Sequence, residues 1–160
     1  MPFRTYADCA VAPKEIVLTG HRHWRIDSKG TINTYYFAIA ELQFRKIVGI
    51  AETPTGGVAS ASSFFANDPT YNADKAFDGN PATLYNSQSG DAAVGWLRYS
   101  FAAPRDVLQV MITAYNSGPG AQQAPTAFDL RYSDGGTVWT TVKSFTGITW
   151  APGETKLFNV

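Results

Sequence analysis

The chain has 160 residues, 44% of them apolar and 16% charged, with 13 Lys+Arg balancing 13 Asp+Glu. Such a length fits one domain, able to bury roughly 68–70% of the surface that its unfolded form exposes. The composition excludes a disordered tail, a collagen-like rod and a nucleic-acid-binding protein that works through bulk positive charge. Apolar runs such as Val107–Ile112, broken by Gln109, fall far short of the ~20 residues that span a bilayer, so membrane insertion is not expected. Met1–Ala10 carries Arg4 and Asp8 where a secretory signal peptide would have an apolar block. Cys9 is the single cysteine, which excludes an intrachain disulfide and a Cys-based zinc site; it reads as a small buried or near-terminal residue.

Aromatic residues at 14%, with 14 Gly and 9 Pro spread evenly, predict short strands joined by turns. Residues 1–19 read as an N-terminal arm. Arg22–Ile26 alternates with period two, Trp24 and Ile26 on one face, His23 and Arg25 on the other. Within Tyr35–Arg45, Leu42 and Phe44 oppose Glu41, Gln43 and Arg45. Ile47–Gly57 is a connector, because Thr53-Pro54-Thr55-Gly56-Gly57 breaks any regular element. Strands follow at Val58–Phe65, at Trp96–Phe101 with Leu97, Tyr99 and Phe101 inward, and at Val107–Thr113, apolar enough to be buried on both faces. Ala127–Ser133, with Phe128, Leu130 and Tyr132 inward, turns into Val138–Ser144 through Asp134-Gly135-Gly136, where two glycines supply positive φ. Thr155–Val160 is the last strand, with Phe158 and Val160 inward. About eight strands with long connections predict a single all-β jelly-roll sandwich over residues 20–160.

Asp78-Gly79-Asn80 with Thr83 is the most chemically informative stretch. A turn so rich in oxygens either wraps a hard cation, calcium being the natural one, or is a bare Asx turn capping its own backbone. His21 and His23, spaced i and i+2, share a strand face and could take Glu41 as a third metal ligand, but no ligand follows a few residues downstream. They read better as part of a polar face with Arg22 and Arg25. Asp68, Asp74 and Asp78 fall in one loop and suit scaffolding or metal ligation better than acid–base chemistry. With no Gly-x-Ser-x-Gly elbow, no phosphate-cradling loop and no His-Glu-x-x-His pattern, catalysis is not expected. Sugar binding needs an aromatic plate and planar polar groups on loops. Tyr115–Gln123 and Tyr85–Asp91 offer these, with Trp150 as a third aromatic, so Tyr85, Tyr115, Asn116 and Trp150 are the candidate ligand contacts. Each aromatic could equally pack over an end of the sandwich.

From Val58 onward the chain resembles the discoidin-type domain, known also from coagulation-factor C-type modules and family 32 carbohydrate-binding modules. The resemblance rests on Ala59-Ser60-Ala61-Ser62-Ser63, on Ala76-Phe77-Asp78-Gly79-Asn80 with Thr83 and Tyr85, on Gly95–Phe101, and on Phe128–Trp139. It implies a galactose-binding-like fold and a structural calcium. The implied ligands are the Asp78 carboxylate, the Thr83 hydroxyl and carbonyl, carbonyls near Lys75 and Asn80, and the Glu41 carboxylate. Two features depart from the family. Tyr85 stands where Trp is usual, leaving a polar tip to satisfy. The family's closing strands also come first here, as His23-Trp24-Arg25-Ile26 and Ala38–Phe44, which resembles a circular permutation and predicts that Thr155–Val160 lies near Arg22–Ile26. Permuted modules of this kind are similar to small virion proteins of tailed bacteriophages. That resemblance implies a place in the virion, with other virion proteins, further copies of the chain and bacterial surface polysaccharide as partners. Two functions stay open. One is attachment through a sugar ligand; the other is a decoration, collar or baseplate scaffold that clasps its neighbours with Met1–Thr19 and Arg22–Ile26.

Overall fold

The computed structural model describes residues 20–160; the arm and Cys9 lie outside the described residues. Its strands are His21–Thr31 (β1), Ala38–Ile39 (β2), Glu41–Arg45 (β3), Val58–Ala61 (β4), Tyr85–Asn86 (β5), Trp96–Arg105 (β6), Gln109–Thr113 (β7), Pro125–Ser133 (β8), Thr140–Phe145 (β9) and Thr155–Asn159 (β10). Five of them form one sheet in the order β4-β6-β1-β8-β9, three form a second in the order β10-β7-β3, and β2 pairs with β5. Every pairing is antiparallel. The all-β sandwich expected from the sequence is the observed fold.

Alternation explains the packing. Trp24 and Ile26 of β1, Leu97 of β6, and Phe128 and Leu130 of β8 point inward and are buried. They meet Leu42, Phe44, Val110 and Ile112 from the smaller sheet, all at most 1% exposed. β7 is buried along its whole length, as its unbroken apolar character predicts. β3 is buried on both faces too, Glu41, Gln43 and Arg45 included. The connector after it folds back onto the smaller sheet, where the Glu52 N–H donates to Gln43 Oε1 and the Gly49 N–H to Gln109 Oε1, each at 3.1 Å.

Three details correct the expectations. Of the two hairpin glycines, only Gly136 takes positive φ (76°), its N–H donating to Ser133 Oγ. Val160 is 38% exposed and not inward, because the chain end lies at the rim, where its N–H donates to the Leu108 carbonyl at 3.0 Å. Finally, β10 pairs with β7 and β1 with β6 and β8, so Thr155–Val160 and Arg22–Ile26 lie in different sheets. Their free ends still converge on one turn. A Cβ at Gly20 would sit 2.8 Å from the Arg105 backbone, three residues from the carbonyl that holds Val160.

Candidate functional site

The opposite end of the sandwich carries the Asp78 turn. It hangs from a long loop made of three short 3-10 turns, Phe65–Asn67, Pro69–Tyr71 and Ala73–Ala76. Asp68 and Asn72 cap the last two, their side chains accepting from the N–H groups of Thr70 and Asp74, and Asp74 also pairs with Lys75 at 3.4 Å. Within the turn, Asp78 Oδ1 accepts from the Asn80 N–H at 2.9 Å and Gly79 adopts φ 74°. This is the Asx turn that the bare reading expects.

The turn also holds more acceptors than it has protons for. Thr83 Oγ1 lies 2.8 Å from Asp78 Oδ2, 2.8 Å from the Asn80 carbonyl and 3.4 Å from the Lys75 carbonyl. A hydroxyl carries one proton, so it cannot donate to all three. Glu41, the first residue of β3 and 5% exposed, faces the same turn, and among the described residues its Oε1 has no hydrogen-bond partner. Burial, the Asp78 charge and a hydrogen bond shared with Asp78 push the Glu41 carboxyl up to about 7, against the opposing pull of the Asn80 and Gly79 N–H groups. Glu41, Lys75, Asp78, Asn80 and Thr83, scattered over 43 positions of sequence, are thus brought together (41 to 83). An orphaned buried carboxylate oxygen beside surplus carbonyl and hydroxyl oxygens suits a hard cation.

Beside the turn, two adjoining hollows of ≈ 550 and ≈ 510 Å³ meet at Tyr115 and Ala82. The first is lined by Pro81, Asn116, Ser117, Pro152 and Gly153 among others; the second by Pro69, Thr70, Tyr71, Lys75 and Thr83. Tyr115 follows β7 directly, its loop tied down by the Ala114 N–H donating to the Glu154 carbonyl at 2.9 Å. Gly120 lets that loop close, since a Cβ there would come within 2.7 Å of the Tyr115 carbonyl. Tyr71 is braced edge-on by Phe65, with ring centroids 5.4 Å apart.

Of the four ligand candidates, Tyr115 and Asn116 line this groove, whereas burial takes Tyr85 and Trp150 out of reach. Tyr85 is 0% exposed, edge-on against Phe37, with its hydroxyl unpartnered. Trp150 is 9% exposed and its indole N–H donates to the Pro125 carbonyl at 2.9 Å. Tyr71 is the aromatic that the sequence reading missed; its place among Pro69, Thr70 and Asn72 in a polar loop was the available signal. The histidines and Glu41 do not meet. A bulge between His21 and His23 separates their pairing, His21 stacks on Tyr132 and bonds Asp134 at 2.9 Å, and His23 bonds Ser100 at 2.8 Å.

An antiparallel sandwich with an oxygen-rich turn and a loop-built groove at one end is the architecture of a ligand-binding module. The F5/8 type C domain model matches residues 58–159, and the chain belongs to that family, whose members are carbohydrate- and ligand-binding modules and generally non-catalytic. No curated protein and no solved structure matches significantly. The match begins at β4, yet β1 is the central strand of the larger sheet.

Proposed function

We propose that residues 20–160 act as one non-catalytic module that binds cell-surface carbohydrate in the groove astride Tyr115, with a structural calcium in the Asp78 turn. The observation that carries this reading is the groove itself. Tyr71 and Tyr115 offer ring faces, and Asn116, Thr70, Thr83 and Lys75 offer hydrogen-bonding groups, within a volume suited to small ligands. Glu41, Asp78, Thr83 and the carbonyls of Lys75 and Asn80 would hold the cation. Bound there, calcium supplies positive charge that fixes the loop carrying Tyr71; the sugar is oriented by the chain's own side chains. Catalysis has no place in this reading.

The module works in the particle of a tailed bacteriophage, beside other virion proteins and further copies of itself, so that several weak sites act together on bacterial polysaccharide. Its leading strands β1 and β3 are the family's closing strands moved to the front. Placement of β1 at the centre of a sheet whose other members lie within the matched segment supports that permutation, as does the convergence of Gly20 and Val160 on one turn.

Binding to an array of multivalent bacterial polysaccharides and galactosides tests the reading. A selective signal is expected, weakened at least tenfold by Tyr115→Ala, which removes the plate shared by both hollows. A blank array from folded protein would instead favour a scaffold. Asp78→Ala is expected to abolish the calcium-dependent part of the melting temperature while leaving the sandwich folded. An unchanged wild-type melting curve with and without chelator would remove calcium from the account.

A further inference from the structure

On the solvent face of the five-stranded sheet, Arg25 of β1 is the direct cross-strand partner of both Arg98 on β6 and Arg131 on β8. Three guanidinium groups therefore occupy one row across three adjacent strands. Like charges placed opposite each other disfavour sheet pairing. A shared acid offsets this for two of the three, and tryptophan rings flank the row. Asp27, 6% exposed, accepts from Arg25 and Arg131, each at 2.9 Å, and the Trp139 and Trp96 rings lie 4.1 and 5.5 Å from the Arg25 guanidinium. Asp27 does not pair with Arg98. Its Nε donates to Ser60 Oγ at 2.7 Å and its guanidinium lies 5.4 Å from the Trp96 ring, but among the described residues no carboxylate pairs with it. Another acid on this face, Asp129, is taken by Lys29 at 3.2 Å and Ser144 at 2.6 Å. Burial and the Arg25 charge both pull the Arg98 pKa down, as expected for a cation lacking its counter-ion.

We propose that this row is an anion-binding face, with Arg98 as its anchor, that takes the carboxylates of an acidic polysaccharide. It is a second contact surface, separate from the groove at Tyr115, and it stands whether or not that groove binds sugar. The surroundings of Arg98 favour a saccharide as the occupant. The partly exposed Trp96 ring and the Ser60 hydroxyl lie beside it, so a sugar ring bearing a carboxylate finds an apolar contact and a hydroxyl partner together. An acidic peptide side chain would use only the charge.

Titration calorimetry with polygalacturonate, neutral galactan and polyglutamate separates the possibilities. Wild type is expected to bind polygalacturonate more tightly than neutral galactan, with affinity that falls as salt rises. Arg98→Gln is expected to weaken that binding at least tenfold and to melt no lower than wild type, since it relieves the crowding of charge. Arg98→Lys, which keeps the charge but not the planar fork, is expected to fall between the two and guards against a folding defect. Equal binding by Arg98→Gln, a wild type that ignores polygalacturonate, or Arg98-dependent binding confined to polyglutamate would each overturn the proposal.

Discussion

With calcium chelated at pH 8, Glu41→Gln is expected to melt about 5 °C or more above the wild type, and calcium is expected to leave its melting temperature unmoved. Glu41 is buried beside Asp78, and its carboxyl is pushed up to about 7. A carboxyl raised in the folded state contributes stability below its ordinary value near 4.5 and loses it as pH rises through about 7. Above that window the metal-free wild type holds an ionised carboxylate at a cost of about 3 kcal/mol, the rise from 4.5 to about 7 counting roughly 1.4 kcal/mol per pKa unit. An amide of the same shape removes the cost and a ligand together. In the wild type, a cation would offset both carboxylates and displace the Glu41 proton, so calcium should stabilise more at pH 8 than at pH 5.5. Scanning calorimetry of both proteins, with chelator and with calcium, decides the matter. A variant that melts below the chelated wild type would mean that Glu41 serves the fold through hydrogen bonds alone.

A chain shortened to residues 58–159, the span that the family model recognises, is expected not to fold. Without β1 the larger sheet falls into two separate pairs, β4 with β6 and β8 with β9, and without β3 the smaller keeps only β7 with β10. Trp24, Ile26, Phe37, Ile39, Leu42 and Phe44, all at most 4% exposed, would leave the core with them. At about 1.5–3 kcal/mol for each buried side chain, the loss is as large as the ~5–15 kcal/mol that holds a typical domain together. Far-UV circular dichroism and the dispersion of amide proton resonances report the outcome. A cooperative melt from the short chain would show that the sandwich closes without its leading strands.

Period-two patterning made most of the sheet legible. Leu97, Tyr99 and Phe101, or Trp24 and Ile26, can be assigned to a face from spacing alone, because a strand offers only two faces. Burial of Gln43 and Arg45 could not be read that way, since it depends on a connector folding back across 60 positions of sequence to Gln109, and that of Glu41 depends on the distant Asp78 turn. The same limit divided the site residues. Asp78, Asn80 and Thr83 are neighbours whose turn is local chemistry, so they could be grouped from sequence. Trp150 and Tyr85 differ from Tyr115 only in what lies over them, which is set by the opposite sheet and by loops far away in sequence. Tyr115 escapes burial because β7 ends two residues before it, at the rim.

Convergence of Gly20 and Val160 on the Arg105–Leu108 turn has a practical side. Strands β7 and β10 run the full distance between that turn and the Tyr115 groove, five residues or ~17 Å apiece. A surface handle, fluorophore or fusion partner attached at either position therefore leaves from the rear of the molecule and keeps the groove facing outward. In a chain cut back to Gly20, a short peptide bridging the two positions would link them with little change to either sheet, giving a cyclised sandwich.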